Sequence, residues 1–336
     1  MIEVIKFTIS LLPVLTFLLI LIVLDSFKLV RLRMILLALM AGCLAAVFSA
    51  FINHFFLSEY KINVLIFGRY LAPLIEESLK ILFIFYLIHA NKIGFMVDGA
   101  ILGFATGTGF AFIENVYYLG ALDSANILLW IIRGFGTAVM HGGTVALGAI
   151  ITKSLLDRNP KKRFILYIPG FLVAICFHSF FNHFILPPVF MTLMQLILLP
   201  LVIVFIYWQS ENLLREWLEI GFDVDVWLLE QINTGTFSQT KIGNYLLSLN
   251  NKFSGEIMAD MLCYLRLHLE LAIRAKGILL MKEAGFPAVM DSEIKEKFEE
   301  MKFLEKSIGK TGKLALAPIL HSSGQELWQI YTLGKS

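Results

Sequence analysis

Apolar residues run in long uninterrupted blocks along the first two thirds of this chain, broken by short polar joints rather than alternating with polar positions. Blocks of this kind are too long for buried strands and match the length an α-helix needs to cross a bilayer. Seven such helices are predicted, over 6–26, 34–57, 64–90, 94–120, 125–152, 164–186 and 188–209. After Trp208 the pattern changes to amphipathic, charged segments over 210–232, 254–284, 291–308 and 312–332, separated by turn-rich joints such as Asn233-Thr234-Gly235 and Gly285-Phe286-Pro287. The predicted fold class is therefore all-α, a polytopic membrane helix bundle over 1–210 followed by a soluble helical domain over 211–336.

Composition agrees with that division. With 58% hydrophobic and 16% charged residues, the 336-residue chain is too apolar for a soluble protein of this size. Residues 1–210 carry 14 basic and 9 acidic groups and residues 211–336 carry 14 and 17, so the net charge of +2 hides two different parts. The first apolar block lacks a small-x-small cleavage site and is read as a retained span. Cys43, Cys176 and Cys263 are an odd number, far apart and without a CxxC pair, so they are expected to be packing residues rather than a disulfide or zinc framework.

The joints set an orientation. Lys28, Arg31 and Arg33 follow the first span, Lys92 the third, and Lys153, Arg158, Lys161, Lys162 and Arg163 the fifth. The alternate joints hold Lys61 beside Glu59, then Asp123, then the uncharged turn at Pro187 and Pro188. The positive-inside rule places the N-terminus outside and residues 211–336 in the cytoplasm, with the bundle in the plasma membrane.

Four successive spans carry polar groups that lipid would reject. The third has Glu76, Glu77 and Lys80; the fourth Glu114 and Asn115; the fifth Arg133, His141 and Thr144; the sixth His178 and Asn182. A charge at the bilayer centre is unfavourable by ~3 kcal/mol or more, so these groups are expected to face the protein interior. On a helix Lys80 lies about 40° around from Glu76 and about 60° from Glu77, angularly between the carboxylates. Counted from the outer ends of the spans, Glu114 lies about 6 residues deep, His178 about 8, Glu76 about 12 and His141 about 15, a spread of roughly 14 Å that one site in the outer half of the membrane can hold. By themselves Glu76, Glu77 and Lys80 can also be an internal ion pair that locks packing. Gly99, Gly103 and Gly107, four residues apart, with Gly109 beyond them, are read as close-packing positions that mark the fourth span as central. His54, His89 and His183 are read as interfacial or packed.

Carboxylates, imidazoles and amides held together supply what peptide hydrolysis needs: a base for water and donors for the developing oxyanion and the leaving amine. Of the adjacent carboxylates, Glu77 is taken as the base. The same side chains suit zinc, with Glu114, His141 and His178 as ligands, although no HExxH motif is present. Intramembrane carboxylates and histidines also build proton relays, so a proton-coupled transporter is an alternative, as is an inactive membrane scaffold. No repeated hydropathy halves favour the transporter.

These residues bear a family resemblance. Glu76-Glu77-Ser78-Leu79-Lys80 matches an EExxK motif, Phe110 to Asn115 an FxxxEN motif, His141-Gly142-Gly143-Thr144 a histidine-containing third motif, and His178 with Asn182 an HxxxN motif. In order and placement they resemble the PrsW family of intramembrane proteases, distant relatives of the CAAX prenyl endopeptidase and bacteriocin-processing group, over about residues 60–210. The resemblance implies catalysis by Glu76, Glu77, Glu114, His141 and His178, supported by Lys80, Asn115 and Asn182. It implies a membrane-anchored protein substrate, anti-sigma-factor-like or another single-span chain, met in the lipid bilayer; nucleic acid is not an expected partner. PrsW proteins are usually described as metalloproteases while their relatives are argued to use a glutamate-activated water without metal, so the resemblance leaves both zinc and a metal-free site open. The resemblance does not extend to residues 211–336, for which a regulatory or docking role is expected.

Overall fold

A computed structural model of the chain describes residues 2–24, 30–122, 126–157, 164–284, 286 and 293–320. Lys28, Asp123, Arg158, Lys161, Lys162, Arg163, Gly285, Pro287 and His321 lie outside the described residues, so the orientation read from those charges rests on sequence. The described residues are helical, with no strand among them, as expected where backbone polar groups must bond within their own segment.

The chain divides into two compact units, Met1–Ser210 and Glu211–Ser336. In the first, α1 covers Ile2–Leu24, α2 Leu32–Tyr60 and α3 the run 64–89. Then follow α4 over Met96–Ala121, α5 over Ile127–Asp157 and α6 over Phe164–His183, and α7, Pro188–Asn233, begins in this unit and ends beyond residue 210. Among the described residues, six helices have the length and composition to cross a membrane. The seventh expected span, α3, is helical throughout, but Glu76, Glu77 and Lys80 set it apart from the six in composition.

Several boundaries differ from expectation for local reasons. Helix α1 begins at Ile2 rather than 6, because Lys6 and Glu3 pair at 2.9 Å within it. Asn63 starts α3 by accepting bonds from the Leu65 and Ile66 amides, an N-cap that fixes the entry. Helix α5 extends to Asp157, with Lys153 buried and bonded to Asp157 in its last turn. The break expected near 209 does not occur, since no Gly or Pro interrupts 201–220.

Helix α4 is the centre of the bundle, with most of its apolar length buried. Its glycines make that position possible. A Cβ on Gly107 would lie 2.0 Å from the His141 carbonyl oxygen, and one on Gly103 would lie 2.9 Å from Ala146 Cα, so α5 packs backbone to backbone. On the other side a Cβ on Gly109 would meet the Leu39 carbonyl of α2 at 2.0 Å, and one on Gly42 the Thr106 carbonyl at 1.8 Å. This is the small-residue route to close helix approach.

In the second unit, α8 (Lys241–Ser248), α9 (Gly255–Glu283) and α10 (Glu293–Leu316) pack around Met261, Leu265, Leu271, Phe298 and Leu304. Helix α10 is interrupted at Gly309, with φ at 63°, and this break falls between the two segments expected at 291–308 and 312–332, the second of which is described as far as residue 320. The cysteine expectation holds for Cys43, whose thiol donates to the Gly109 carbonyl at 3.3 Å. It fails for Cys176 and Cys263, which lie on exposed helix faces.

Candidate active site

The polar groups of α3, α4, α5 and α6 meet in one hydrogen-bonded cluster. Lys80 Nζ donates to Glu77 Oε1 at 2.5 Å and to His141 Nδ1 at 2.9 Å, and it lies 4.5 Å from the Phe110 ring centroid. Glu77 Oε1 also accepts from Thr144 Oγ1 at 3.2 Å and from His178 Nδ1 at 2.7 Å. His141 Nε2 lies 2.9 Å from Glu114 Oε2, and the two imidazole centroids are 4.9 Å apart. His178 Nε2 faces Glu76 Oε2 at 3.8 Å. The spread of roughly 14 Å obtained by counting from span ends is therefore too large, because the counts assumed straight helices with other boundaries.

These partners fix the tautomers. Nδ1 of His141 faces an ammonium and must accept, so Nε2 carries the proton and donates to Glu114. His178 donates from Nδ1 to Glu77, which leaves the lone pair of Nε2 turned toward Glu76.

Burial grades the cluster. The side chains of Glu77 and Lys80 are fully buried, whereas those of Glu76 and Glu114 are 13% and 24% exposed. Glu76 and Glu114 therefore form its accessible edge. Glu77 Oε2 is buried without a hydrogen-bond partner.

Two π-helical turns aim the catalytic candidates. In α3 the stretch Phe67–Leu71 is closed by the Ala72 amide on the Phe67 carbonyl, and in α5 Ile132–Thr137 by the Ala138 amide on the Arg133 carbonyl. Each turn holds an extra residue and so rotates the helix beyond it; Glu76 and Glu77 come five and six residues after the first, His141 four after the second. Side chains of neighbouring helices bond carbonyls of both turns. Asn182 Nδ2 donates to Gly68 O at 2.9 Å and Ser179 Oγ to Arg69 O at 2.6 Å. Gln195 Nε2 donates to Gly136 O at 3.0 Å.

Asn182 thus lies against the π-turn rather than in the cluster. Asn115 is also structural here, donating to Ser10 O at 2.8 Å and accepting from Arg133 Nε at 2.9 Å. Arg133 Nη2 is 3.4 Å from Glu114 Oε1, and its guanidinium stacks 3.8 Å over Tyr118. His54 and His89 are exposed, and His183 bonds the Ser179 carbonyl; none of the three joins the cluster.

Asn53 of α2 escaped the sequence reading, yet its Nδ2 donates to Glu76 Oε1 at 3.2 Å. The signal was available, since Asn53 is an amide in an apolar span and invites the same question as Asn115. Gln195 was missed for the same reason.

A metal ion fits the donor set, but not with the ligands expected. Ligand atoms of Glu76, His141 and His178 lie within 4.8 Å of one another, whereas Glu114 is held by Arg133 and His141. One carboxylate and two imidazoles leave an open position for water, and Glu77 on His178 Nδ1 is the outer partner such a ligand needs. Both nitrogens of His141 are engaged, so a cation there displaces Lys80 or Glu114 from the ring.

A family model described as PrsW family intramembrane metalloprotease matches residues 30–208. No curated protein and no solved structure matches the chain.

Proposed function

Because this chain belongs to the PrsW family of intramembrane metalloproteases, we propose that it is an endopeptidase that hydrolyses a peptide bond in a membrane-anchored protein, with anti-sigma-factor-like or other single-span chains as substrates. The observation that carries this reading is the convergence of Glu76, Glu77, Glu114, His141 and His178 from four helices of an apolar bundle. Unpaired, such groups would be strongly unfavourable in lipid.

The geometry supports Glu76 rather than Glu77 as the base. Three donors converge on its Oε1 and its side chain has no exposure, so it serves to hold Lys80, Thr144 and His178. Glu76 stands at the accessible edge beside the free lone pair of His178, where a water can sit between them. In this mechanism Glu76 takes one proton from that water as its oxygen attacks the scissile carbonyl carbon. The oxyanion that forms accepts a hydrogen bond from the Arg133 guanidinium at the Glu114 edge. Protonated Glu76 then returns its proton to the amide nitrogen as the C–N bond breaks, which closes the proton balance. A divalent cation held by Glu76, His141 and His178 would polarise the carbonyl and acidify water when bound.

The supporting orientation is N-terminus outside, residues 211–336 cytoplasmic, in the plasma membrane, with the second unit in a regulatory or docking role. The test is Glu76→Gln in the full chain co-expressed with a tagged single-span reporter. Removing the base at constant size is expected to lower cleavage by ~10²–10⁴-fold, read by immunoblot, with unchanged accumulation of the protein. Undiminished cleavage would remove Glu76 from the role.

A further inference from the structure

Beside the polar cluster lies a cavity of about 230 Å³ between α5, α6 and α7. Met140, Thr144, Phe177, Met191, Met194 and Leu198 are among its walls. We propose that this cavity receives a large apolar side chain, Phe, Leu or Met, flanking the scissile bond of the substrate. The proposal rests on the protease reading above and assigns that site a side-chain preference.

Continuity with the cluster carries it. Thr144 is a shared wall: it lines the cavity while its hydroxyl donates to Glu77 Oε1 at 3.2 Å. Met140 and Phe177 each precede one of the two histidines, and successive residues on a helix point about 100° apart. The cavity therefore begins one residue from each imidazole, on the adjoining face of the same two helices. A polypeptide with its carbonyl at Glu76 and His141 has a neighbouring side chain within reach of this space.

Size and chemistry select what enters. A dry cavity of ~150 Å³ already admits a benzene ring, so this one takes an aromatic or long aliphatic side chain. Its lining is nearly all apolar, and a charged side chain there would lose its hydration without a partner. Gln195, among its walls, donates to the Gly136 carbonyl. Three methionine walls adapt to different apolar shapes. Met191 is buried, whereas Phe177 and Leu198 are 56% and 50% exposed, so the cavity is closed on one side and open on another. A lipid acyl chain is the competing occupant, but continuity through Thr144 to Glu77 favours the substrate side chain.

The test uses the full-length protein in detergent with single-span peptides identical except for Ala, Leu, Phe, Asp or a photoreactive diazirine leucine at one central position. Wild type is expected to cleave the Phe and Leu peptides at least tenfold faster than the Ala and Asp peptides. Leu198→Trp and Met194→Trp, which fill the cavity from two sides, should each abolish that ratio while melting within a few degrees of wild type. In the Glu76→Gln background the diazirine peptide should label α5, α6 or α7 at the cavity, and the Phe peptide should compete. Labelling there without cleavage by wild type would overturn the protease reading and leave the pocket standing. An unchanged Phe-to-Ala ratio in both folded variants, labelling elsewhere, or acyl chains that co-purify with wild type and are lost in Leu198→Trp would overturn the pocket.

Discussion

Lys80 is the side chain on which the cluster most depends, because it bonds Glu77 and His141 at once and is fully buried. Removing one partner of a buried ion pair leaves the other charge uncompensated, at a cost of about 3–5 kcal/mol. Lys80→Met should therefore lower the melting temperature of the detergent-solubilised chain sharply, and adding Glu77→Met should recover part of the loss. Another buried cation belongs to the other unit, where Lys276 bonds Asp225 at 2.8 Å. Burial first and Lys276 second push His268 down from 6.5 to about 4. Between those values the unfolded chain binds a proton that the folded chain refuses, so stability is fully present above pH 6.5 and falls as pH drops toward 4. The loss approaches roughly 3 kcal/mol. Hydrogen-exchange protection in Gly255–Glu283, corrected for intrinsic rates, should decline over that window in wild type and much less in His268→Leu. At this scale the charged members of the site were legible, because a carboxylate in an apolar span announces itself. Asn53 and Gln195 give only the weaker signal of an uncharged amide in an apolar span, the signal that Asn115 also gives.

Helix α4 illustrates what spacing reveals at the scale of elements. Its glycine repeat marks it as central, and in the structure Gly103 and Gly107 set the approach of α5. Gly107→Ala would drive a methyl into the His141 carbonyl, at 2.0 Å, and so displace the helix that carries the imidazole. Cleavage of the single-span reporter should fall at least tenfold, whereas Gly120→Ala, with no atom near its Cβ, should leave both cleavage and melting unchanged. The π-turns were not legible, since Phe67–Leu71 and Ile132–Thr137 read as ordinary apolar helix. Their carbonyls are bonded by Asn182, Ser179 and Gln195, side chains 59 to 114 residues away in the chain. A local hydropathy pattern holds no information about such partners. The same blindness hid the continuity of Pro188–Asn233, where apolar and amphipathic stretches share one helix.

For the whole molecule, the apolar part and the charged part were separable from composition, and the family match over 30–208 falls within the first unit. Orientation is open to direct measurement with a native probe. Cys263 is exposed, so a membrane-impermeant thiol reagent should leave it unlabelled in intact cells and label it after permeabilisation; a cysteine placed at Ser254 should behave alike. Labelling of either in intact cells would invert the proposed topology. Biogenesis gives the composition of α3 a different significance. Glu76, Glu77 and Lys80 each oppose partition into hydrocarbon by about 2.5–3.5 kcal/mol, and the chain emerges N-terminus first. When α3 reaches the bilayer, Asn53 has already been made, but Thr144, His141 and His178 have not. Glu77 and Lys80, three residues apart, can neutralise each other at once, which leaves Glu76 as the group still waiting. Membrane insertion of α3 is thus completed by helices synthesised after it, and the order of birth runs against the order of charge pairing.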